Sequence, residues 1–460
     1  MKQALAFFLI SIMLLCALSA MAQDPILRWN TFFGGTETDG VSAAALDKNG
    51  NIYVVGTSWG TWGSPVNPYT FDSDVFVAKL NQSGVLEWNT FLGGVDTDSG
   101  WAIAIDGSGN LYVTGYSWAT WGTPKTPFAP GSIIDAFVAK LDNNGALQWN
   151  TFLGGSGFDR GYSIAVEENG NVYVVGRSQG GWGSPVTVNP YTGNEDAFAA
   201  KLNTSGILQW NTFLGGTGYD SGNAVSIDAS GNVYVSGYSE ATWGTSPKNS
   251  YSALADVFAA KLDNNGVLQW NTFLGGAGDD YSDGTALDGS GNIYIVGESS
   301  VPWGSPINPL TIGNADAFAA KLNNSGERQW NTFMGGSGYD GAYDITADRS
   351  GNLYIAGQST ATWGSPVTPY STSEDVFVAN LNNSGEPQWN TFMGGQGYDG
   401  AYAISLDGRG YLYVAGESNA AWGSPITEYT QNFDAFLAKL MVHKFPWTMF
   451  LPAITTNQKP

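Results

Sequence analysis

The sequence is nearly devoid of two residue types on which many active sites and metal centres depend. Among its 460 residues there is one cysteine, Cys16, and one histidine, His443. Cys16 falls in an N-terminal segment that is expected to be removed, so the mature chain should hold no disulfide and depend on burial and strand pairing. His443 lies near the C-terminus, beyond the repeats, which excludes a Ser-His-Asp triad or a histidine-based metal site within them. These absences favour a non-catalytic protein.

Positive charge is also scarce. Lys and Arg together number 18 against 40 Asp and Glu, which gives a formal net charge of −22. Phosphate backbones and anionic lipid surfaces repel such a chain, so neither nucleic acid nor an anionic membrane is an expected partner. No cofactor is expected to be required, although acidic chains often bind Ca²⁺, which remains a candidate ligand.

Long hydrophobic runs are confined to the N-terminus. Residues 4–18 are apolar, follow Lys2 and precede Ala20-Met21-Ala22, which is the pattern of a secretory signal peptide that ends at residue 22. No other stretch is long and apolar enough to span a bilayer, so no membrane insertion is expected after cleavage. We therefore expect an exported chain that is secreted, periplasmic or displayed on the cell surface, and we expect it to be a monomer.

The chain is rich in one motif, Trp-Asn-Thr-Phe followed by an apolar residue and Gly-Gly. Seven copies begin 59 to 61 residues apart, at Trp29, Trp88, Trp149, Trp210, Trp270, Trp330 and Trp389. Each repeat divides into four short apolar stretches separated by Gly-rich loops and tight turns, and none of them has helical periodicity. The pattern predicts an all-β, seven-bladed β-propeller with four antiparallel strands per blade.

The two ends of the repeated region predict how the ring closes. Residues 25–32 form a fourth strand without the first three, and residues 433–440 form a third strand without a fourth. The N-terminal strand is therefore expected to complete the last blade and to hide two open sheet edges. The predicted organisation is a signal peptide at 1–22, the propeller at 23–440 and a C-terminal tail of unknown role at 441–460.

Three motifs recur in fixed order within the repeats. They are Trp-x-Thr-Phe-x-Gly-Gly, Asp-x-x-Gly-Asn-x-Tyr-Val-x-Gly and Asp-(Ala/Val)-Phe-x-Ala-Lys-Leu. Over residues 26–440 this pattern resembles the SBBP-type β-propeller repeat of bacterial proteins. The resemblance implies an exported bacterial propeller, a group commonly of unassigned function, and it brings no catalytic residues to this chain.

All length variation among the six complete repeats falls in the long loop between the second and third strands. We expect these loops to share one face of the propeller with the Gly-Gly loops, and variation on a fixed scaffold is where binding usually resides. Each loop carries a Trp-Gly pair, which either forms an exposed aromatic platform for a glycan or a cell-surface protein, or folds back to pin the loop. These candidate ligand-binding residues are Trp62, Trp121, Trp182, Trp243, Trp303, Trp363 and Trp422.

An aspartate precedes the innermost strand of every repeat. The seven could encircle one mouth of the channel and hold Ca²⁺ or attract other cations, or each could accept hydrogen bonds from backbone N–H groups of its own loop. They are Asp39, Asp98, Asp159, Asp220, Asp280, Asp340 and Asp399. A second recurrent aspartate, Asp74 in the first repeat, begins each third strand and is expected to serve in hydrogen bonding there or in a surface ion pair.

Charged residues that break the repeat complete the candidates. They lie in or near predicted loops and strand ends, and are Asp96, Arg160, Arg177, Asp283, Glu298, Asp344 and Glu417. The favoured function is a non-catalytic binding, adhesion or envelope interaction module that uses the long-loop face. A structural envelope scaffold without a small-molecule site is one alternative. A hydrolase or lyase acting on polysaccharide is another, and it would need two carboxylates in different environments.

Overall fold

The structure, a computed structural model, describes residues 24–184, 186–311 and 313–442. All the regular secondary structure assigned in this part of the chain is β-strand. Accordingly, no helix long and apolar enough to cross a bilayer occurs among these residues. The predicted signal peptide at 1–22 lies outside the described residues, and so do residues 443–460 of the predicted tail.

The strands are short, and four recur in each repeat. In the described residues they are β1 (Ile26–Phe33), β2 (Asp39–Leu46), β3 (Ile52–Ser58), β4 (Asp74–Leu80), β5 (Leu86–Leu92), β6 (Asp98–Ile105), β7 (Leu111–Ser117), β8 (Asp135–Leu141), β9 (Leu147–Leu153), β10 (Asp159–Val166), β11 (Val172–Ser178), β12 (Asp196–Leu202), β13 (Leu208–Leu214), β14 (Asp220–Ile227), β15 (Val233–Ser239), β16 (Asp256–Leu262), β17 (Leu268–Leu274), β18 (Asp280–Leu287), β19 (Ile293–Ser299), β20 (Asp316–Leu322), β21 (Arg328–Met334), β22 (Asp340–Ala347), β23 (Leu353–Ser359), β24 (Thr372–Leu381), β25 (Pro387–Met393), β26 (Gln396–Leu406), β27 (Tyr411–Ser418) and β28 (Asp434–Met441).

Antiparallel pairing groups these strands in fours. In the described part of the chain, β2-β3-β4-β5 form one sheet, and the next sixteen strands form four more sheets of the same order. The remaining strands form an eight-stranded sheet, in which two such antiparallel sets are joined by a short parallel pairing of β24 with β26. The prediction of an all-β chain of repeated four-stranded antiparallel sheets is confirmed.

Strand β1 pairs with the last strand of the described chain. It runs antiparallel to β28, with Phe33 opposite Ala435, so the set β26-β27-β28 takes its fourth strand from the N-terminus. The side chain of Asn30 donates a 2.8 Å hydrogen bond to the carbonyl of Trp422, as the equivalent asparagines do in the other sets. β28 continues through Met441, one residue into the segment predicted to be tail.

Tight turns between the first and second strands account for the polar and glycine residues that separate the apolar stretches of the sequence. In the third repeat, the N–H of Gly170 donates a 2.9 Å hydrogen bond to the carbonyl of Glu167 and so closes the turn between β10 and β11. Gly170 has a φ of 90°, which a residue with a Cβ adopts only with strain. Strand β11, which follows, is apolar from residue 172 to 176 and almost wholly buried, because neighbouring sheets cover both of its faces.

Apolar cores lie between neighbouring sheets. One core joins Phe198 and Phe213 of the third repeat with Tyr112 of the second. Another joins Phe76 of the first repeat with Tyr413 of β27 in the last set. Each sheet therefore buries apolar side chains against its neighbours, and the first set packs against the last in the same way as against the second.

The first strands of the sets lie side by side around one central cavity. Strand β2 lies against β6, β6 against β10, and the series continues through β14, β18 and β22 to β26, which lies against β2. In each of these strands, the third residue after the recurrent aspartate is left out of the pairing with the second strand. Such a β-bulge re-aims a side chain, and here the bulged residues line the central cavity.

Candidate functional site

The tryptophans of the long loops are withdrawn from solvent. Five of the seven are 6–7% exposed, and the other two are half-buried. The set is Trp62, Trp121, Trp182, Trp243, Trp303, Trp363 and Trp422. The ring of Trp243 makes T-shaped contacts with Phe258 and Phe273, at centroid distances of 5.1 and 5.9 Å. The prediction of an exposed aromatic platform is therefore wrong, because the indoles fold back on the core and fix the long loops there.

The recurrent aspartates that begin the first strands are buried within their own loops. They are Asp39, Asp98, Asp159, Asp220, Asp280, Asp340 and Asp399. Asp159 accepts a 2.9 Å hydrogen bond from the N–H of Gly155 and a second hydrogen bond from the hydroxyl of Ser178. Within the described ranges, no group of three or more His, Cys, Asp or Glu could hold a metal ion. The predicted cation ring is not formed, because each carboxylate accepts a hydrogen bond from a backbone N–H of its own loop, and all but Asp399 accept another from a serine of the same repeat.

Burial raises the pKa of all seven carboxyls to about 6 or 7, although their hydrogen bonds act in the opposite direction. In the second repeat, repulsion from Asp74 adds to the rise at Asp98. A Cβ on Gly93 would lie 2.5 Å from Oδ1 of Asp74 and 2.6 Å from Oδ2 of Asp98. The two aspartates therefore require glycine at this position of the Gly-Gly motif. Asp74 also accepts a 2.6 Å hydrogen bond from the N–H of Thr70, which is the predicted use at the start of the third strand.

The structure brings together a different set of residues at the centre of the molecule. A cavity of about 310 Å³ is lined by the bulged residue of every first strand, together with Arg177, Ser221 and Tyr238. The bulged residues are Ser42, Trp101, Tyr162, Asn223, Asp283, Tyr343 and Tyr402. Five residue types thus occupy this one position of the repeat. The repeats surround the cavity with a wall that is chemically different on each side.

Aromatic rings form much of this wall. Trp101 and Tyr162 meet edge to face with their centroids 5.0 Å apart, and the rings of Tyr343 and Tyr402 lie 5.4 Å apart. Trp101 is 41% exposed, although it lies in the middle of a strand, because the bulge turns it out of the sheet. Such rings offer apolar faces to a ligand, while the tyrosine hydroxyls can form hydrogen bonds with it.

One side of the cavity carries arginine. Nε of Arg177 lies 2.9 Å from Oε1 of Glu195, in an ion pair whose angle falls short of a hydrogen bond. The guanidinium of Arg177 also lies 5.7 Å from the ring centre of Tyr162. Arg160, on the adjacent first strand, lies 5.3 Å from the ring centre of Tyr116. We call this region the arginine side.

The other side carries carboxylates, and we call Asp283, Glu298 and Glu417 the acidic side. Asp283 is half-buried and lines the cavity, whereas Glu298 and Glu417 are outside its lining and contact Tyr339 and Tyr402, respectively. Burial raises the pKa of Asp283 to about 7, repulsion from Glu298 adds to the rise, and burial also raises the pKa of Glu298 and Glu417. In the described part of the chain none of the three forms an ion pair with a lysine or arginine.

Tyrosine hydroxyls hold the acidic side in place. Tyr339 donates a hydrogen bond to Glu298, and its hydroxyl oxygen lies 3.2 Å from that of Tyr343. Tyr402 donates a 3.3 Å hydrogen bond to Oε1 of Glu417. A hydroxyl whose proton is committed to a carboxylate has only its oxygen lone pairs left for a ligand. This side of the cavity is therefore rich in hydrogen-bond acceptors.

The structure places the predicted repeat-breaking residues in different environments. Arg177 and Asp283 line the cavity, and Asp283 lies within β18 rather than at a strand end. Asp344 lies within β22 and accepts 2.8 Å hydrogen bonds from the N–H groups of Ile345 and Ile404, so it links β22 to β26. Asp96 is exposed in a Gly-Gly loop away from the lining residues.

The aromatic and amide members of the cavity were missed by sequence reasoning. Trp101, Tyr162, Asn223, Tyr343 and Tyr402 each look unremarkable in a chain rich in such residues. Placing the seven repeats beneath one another supplies the missing signal. The third residue after the recurrent aspartate varies in size, charge and polarity, whereas that aspartate is the same in every copy.

Comparisons with known proteins concern the repeat and the fold. The model of the SBBP family, described as a β-propeller repeat, matches residues 87–120 and 148–181, which confirms the resemblance in these two stretches. An uncharacterized WD repeat-containing protein of Acanthamoeba polyphaga mimivirus is 21% identical over 526 residues, covering 90% of this chain and 37% of that protein. The regulatory protein FlaEY of Caulobacter vibrioides is 29% identical over 143 residues, covering 30% of this chain and 15% of that protein.

Among solved structures, a chain of hydrazine synthase from Kuenenia stuttgartiensis aligns with a TM-score of 0.49 and 11% identity. The alignment covers 84% of this chain and 94% of that chain. The chain spans well under two thirds of the length of either curated relative.

Proposed function

We propose that this chain, which carries SBBP β-propeller repeats, is an exported, non-catalytic binding protein whose small ligand occupies the central cavity. The observation that carries the proposal is the set of bulged residues, which differ between repeats and meet at one cavity. A cavity of about 310 Å³ with aromatic walls and a few polar groups is typical of small-molecule sites. The long-loop face, which lacks the predicted tryptophan platform, takes second place as a binding surface.

We further propose that the seven sets of four strands form a closed seven-bladed propeller, with β1 as the outer strand of the last blade. The pairing of β1 with β28 and the core shared by the first and last sets support this arrangement. Closure matters for binding, because all seven first strands must stay in place for their bulged residues to share one cavity.

The binding proposal is tested by calorimetry and thermal shift with a panel of amines, amino acids and mono- and disaccharides. The mature chain should bind at least one class, and Trp101→Ala should weaken that binding by about tenfold or more, because the lost ring forms part of the wall. Trp118→Ala is the matched control, since Trp118 is 47% exposed at the start of a long loop, outside the lining residues. Binding that is weakened by Trp118→Ala and unaffected by Trp101→Ala would place the site in the long loops instead.

The structural scaffold makes the opposite prediction. A scaffold without a small-molecule site would show no shift in melting temperature with any class of ligand in the panel. It would instead be captured in stable association with other envelope proteins, which cross-linking on intact cells can test. Cell fractionation and size-exclusion chromatography test the proposals that the mature chain is exported and monomeric.

A polysaccharide hydrolase or lyase remains the second candidate, because carboxylates outside the repeat pattern do lie at the cavity. Asp283 is in the wall, and Glu298 lies close enough to raise its pKa by repulsion. Two carboxyls in unequal environments are what glycoside hydrolysis requires. Release of reducing ends or unsaturated sugars from polysaccharides, abolished by Asp283→Asn, would establish this candidate and refute the non-catalytic proposal.

A further inference from the structure

We infer that the ligand of the central cavity is an organic cation, with its ammonium group on the acidic side beside Asp283, Tyr343 and Tyr402 and an apolar body against Trp101 and Tyr162. This inference rests on the proposed function and adds the chemical class of the ligand. It depends on three features of the cavity: the distribution of charge, the placement of the aromatic rings, and the volume.

Charge is uneven across the cavity. Asp283 lines the acidic side, repulsion from Glu298 reaches it, and neither forms an ion pair in the described part of the chain. Arg177, the cationic residue among the lining residues, is already paired with Glu195 across 2.9 Å. The arginine side keeps a net positive charge, because Arg160 forms no ion pair in the described part of the chain. Charges away from bulk water act strongly, so a ligand's positive group is directed to the acidic side and away from the arginine side.

Two aromatic rings stand at the acidic side. Tyr343 and Tyr402 line the cavity with their ring centres 5.4 Å apart. Tyr402 contacts Glu417 directly. Tyr343 reaches Glu298 through the hydroxyl of Tyr339. The electron-rich faces of such rings attract ammonium groups, and the attraction increases when the cation leaves water. The hydroxyl oxygen of Tyr402, whose proton is donated to Glu417, can accept a hydrogen bond from a protonated amine.

The volume argues for an organic cation over a metal ion. About 310 Å³ is far more space than a bare ion fills. Hard metal ions also need several oxygen ligands converging within about 2.6 Å, and no group of three or more acidic, histidine or cysteine residues in the described ranges is placed to supply them. A methylated or primary ammonium with a short apolar chain matches both the space and the rings.

The test compares two probes of nearly the same shape. Choline carries a quaternary ammonium, and 3,3-dimethylbutan-1-ol replaces its nitrogen with carbon and is neutral. Isothermal titration calorimetry on the mature chain at low salt and pH 8, where Asp283 is ionised, should show choline binding at least about tenfold more tightly than the alcohol. Its affinity should fall as NaCl is raised, because salt screens the acidic side. Ethanolamine and putrescine extend the comparison to primary amines.

Two variants locate the cation. Asp283→Asn keeps the shape of the side chain and removes its charge, so choline affinity should fall by about tenfold while affinity for the alcohol stays unchanged. Glu168→Gln removes the same charge from a side chain that is 92% exposed on a turn, and it should leave both affinities unchanged. Glu298→Gln provides a second test should Asp283→Asn fail to fold.

The outcomes separate this inference from the function on which it rests. If choline and the alcohol bind equally, or if sugars alone bind and Trp101→Ala abolishes that binding, the cavity is a binding site and the cation inference is overturned. If no amine, amino acid or sugar binds, the proposed function fails together with it. Choline binding that Asp283→Asn and Glu298→Gln leave intact would place the cation elsewhere and overturn the assignment to the acidic side.

Discussion

Replacing a buried long-loop tryptophan should lower the stability of the fold and leave the central cavity unchanged. Trp243 is 7% exposed and makes edge-to-face contacts with Phe258 and Phe273. Removing a buried aromatic side chain of this size costs about 3–5 kcal/mol, and the two ring contacts account for about 0.5–1.5 kcal/mol each within that sum. We therefore expect Trp243→Ala to lower the free energy of unfolding by about 3–5 kcal/mol.

The matched comparison is Trp118→Ala, which removes an indole from the same class of loop. Trp118 is 47% exposed, so its loss should change the free energy of unfolding by about 0.5 kcal/mol or less. Guanidinium unfolding followed by far-UV circular dichroism measures both variants. If the free energy of unfolding falls with denaturant concentration at the same slope in both, a difference between their midpoints is a difference in stability. Equal losses, or a larger loss for Trp118→Ala, would refute the conclusion that the Trp-Gly pairs pin the loops.

Four further predictions concern the Gly-Gly loops, chain closure and metal binding. Stability should fall as pH rises from about 4 to about 7, measured by melting temperature, because burial raises the pKa of Asp39 and its equivalents to about 6 or 7 and the folded chain retains protons that the unfolded chain releases. A flat profile would contradict this. Gly93→Ala should cost about 1–3 kcal/mol, since its Cβ meets two carboxylates, whereas Gly289→Ala, with open space around it, should be nearly neutral. Deleting residues 24–33 should lower the melting temperature and promote aggregation by exposing the edge of β28, and an unchanged melting temperature would refute the proposed closure. Millimolar Ca²⁺ should change the melting temperature by no more than about 1 °C from its value without Ca²⁺. A larger rise would indicate a Ca²⁺ site elsewhere than at the buried aspartates.

The repeat carried the information for its own strands. In a second strand such as β11, residues 172–176 form an unbroken apolar run because both faces are covered, and that requirement is visible in the sequence. Turn glycines such as Gly170 mark the strand ends for an equally local reason, since the backbone there has a positive φ. Four strands per repeat and the incomplete sets at the two ends could therefore be predicted without coordinates.

The tryptophans show where local pattern stops being informative. Exposed Trp118 and buried Trp243 both stand in long, polar, Gly- and Pro-rich loops. Only Trp243 belongs to a recurrent Trp-Gly pair, and that recurrence left its exposure open. Whether an indole faces solvent or a phenylalanine depends on how the loop folds back over its sheet. Folding of the loop depends in turn on contacts with strands that are distant in the sequence, such as the hydrogen bond from Asn271 to the carbonyl of Trp243.

The sequence by itself determined the repeat unit, its strands and turns, and the chemistry that the chain lacks, because each of these depends on neighbours within one repeat. Only the tertiary structure decided which residues meet. Ser42 and Tyr402 are 360 residues apart and share a cavity, because a bulge in each first strand aims one side chain at a centre that no single repeat contains. A site assembled from one residue per repeat is invisible until the repeats are brought together in space.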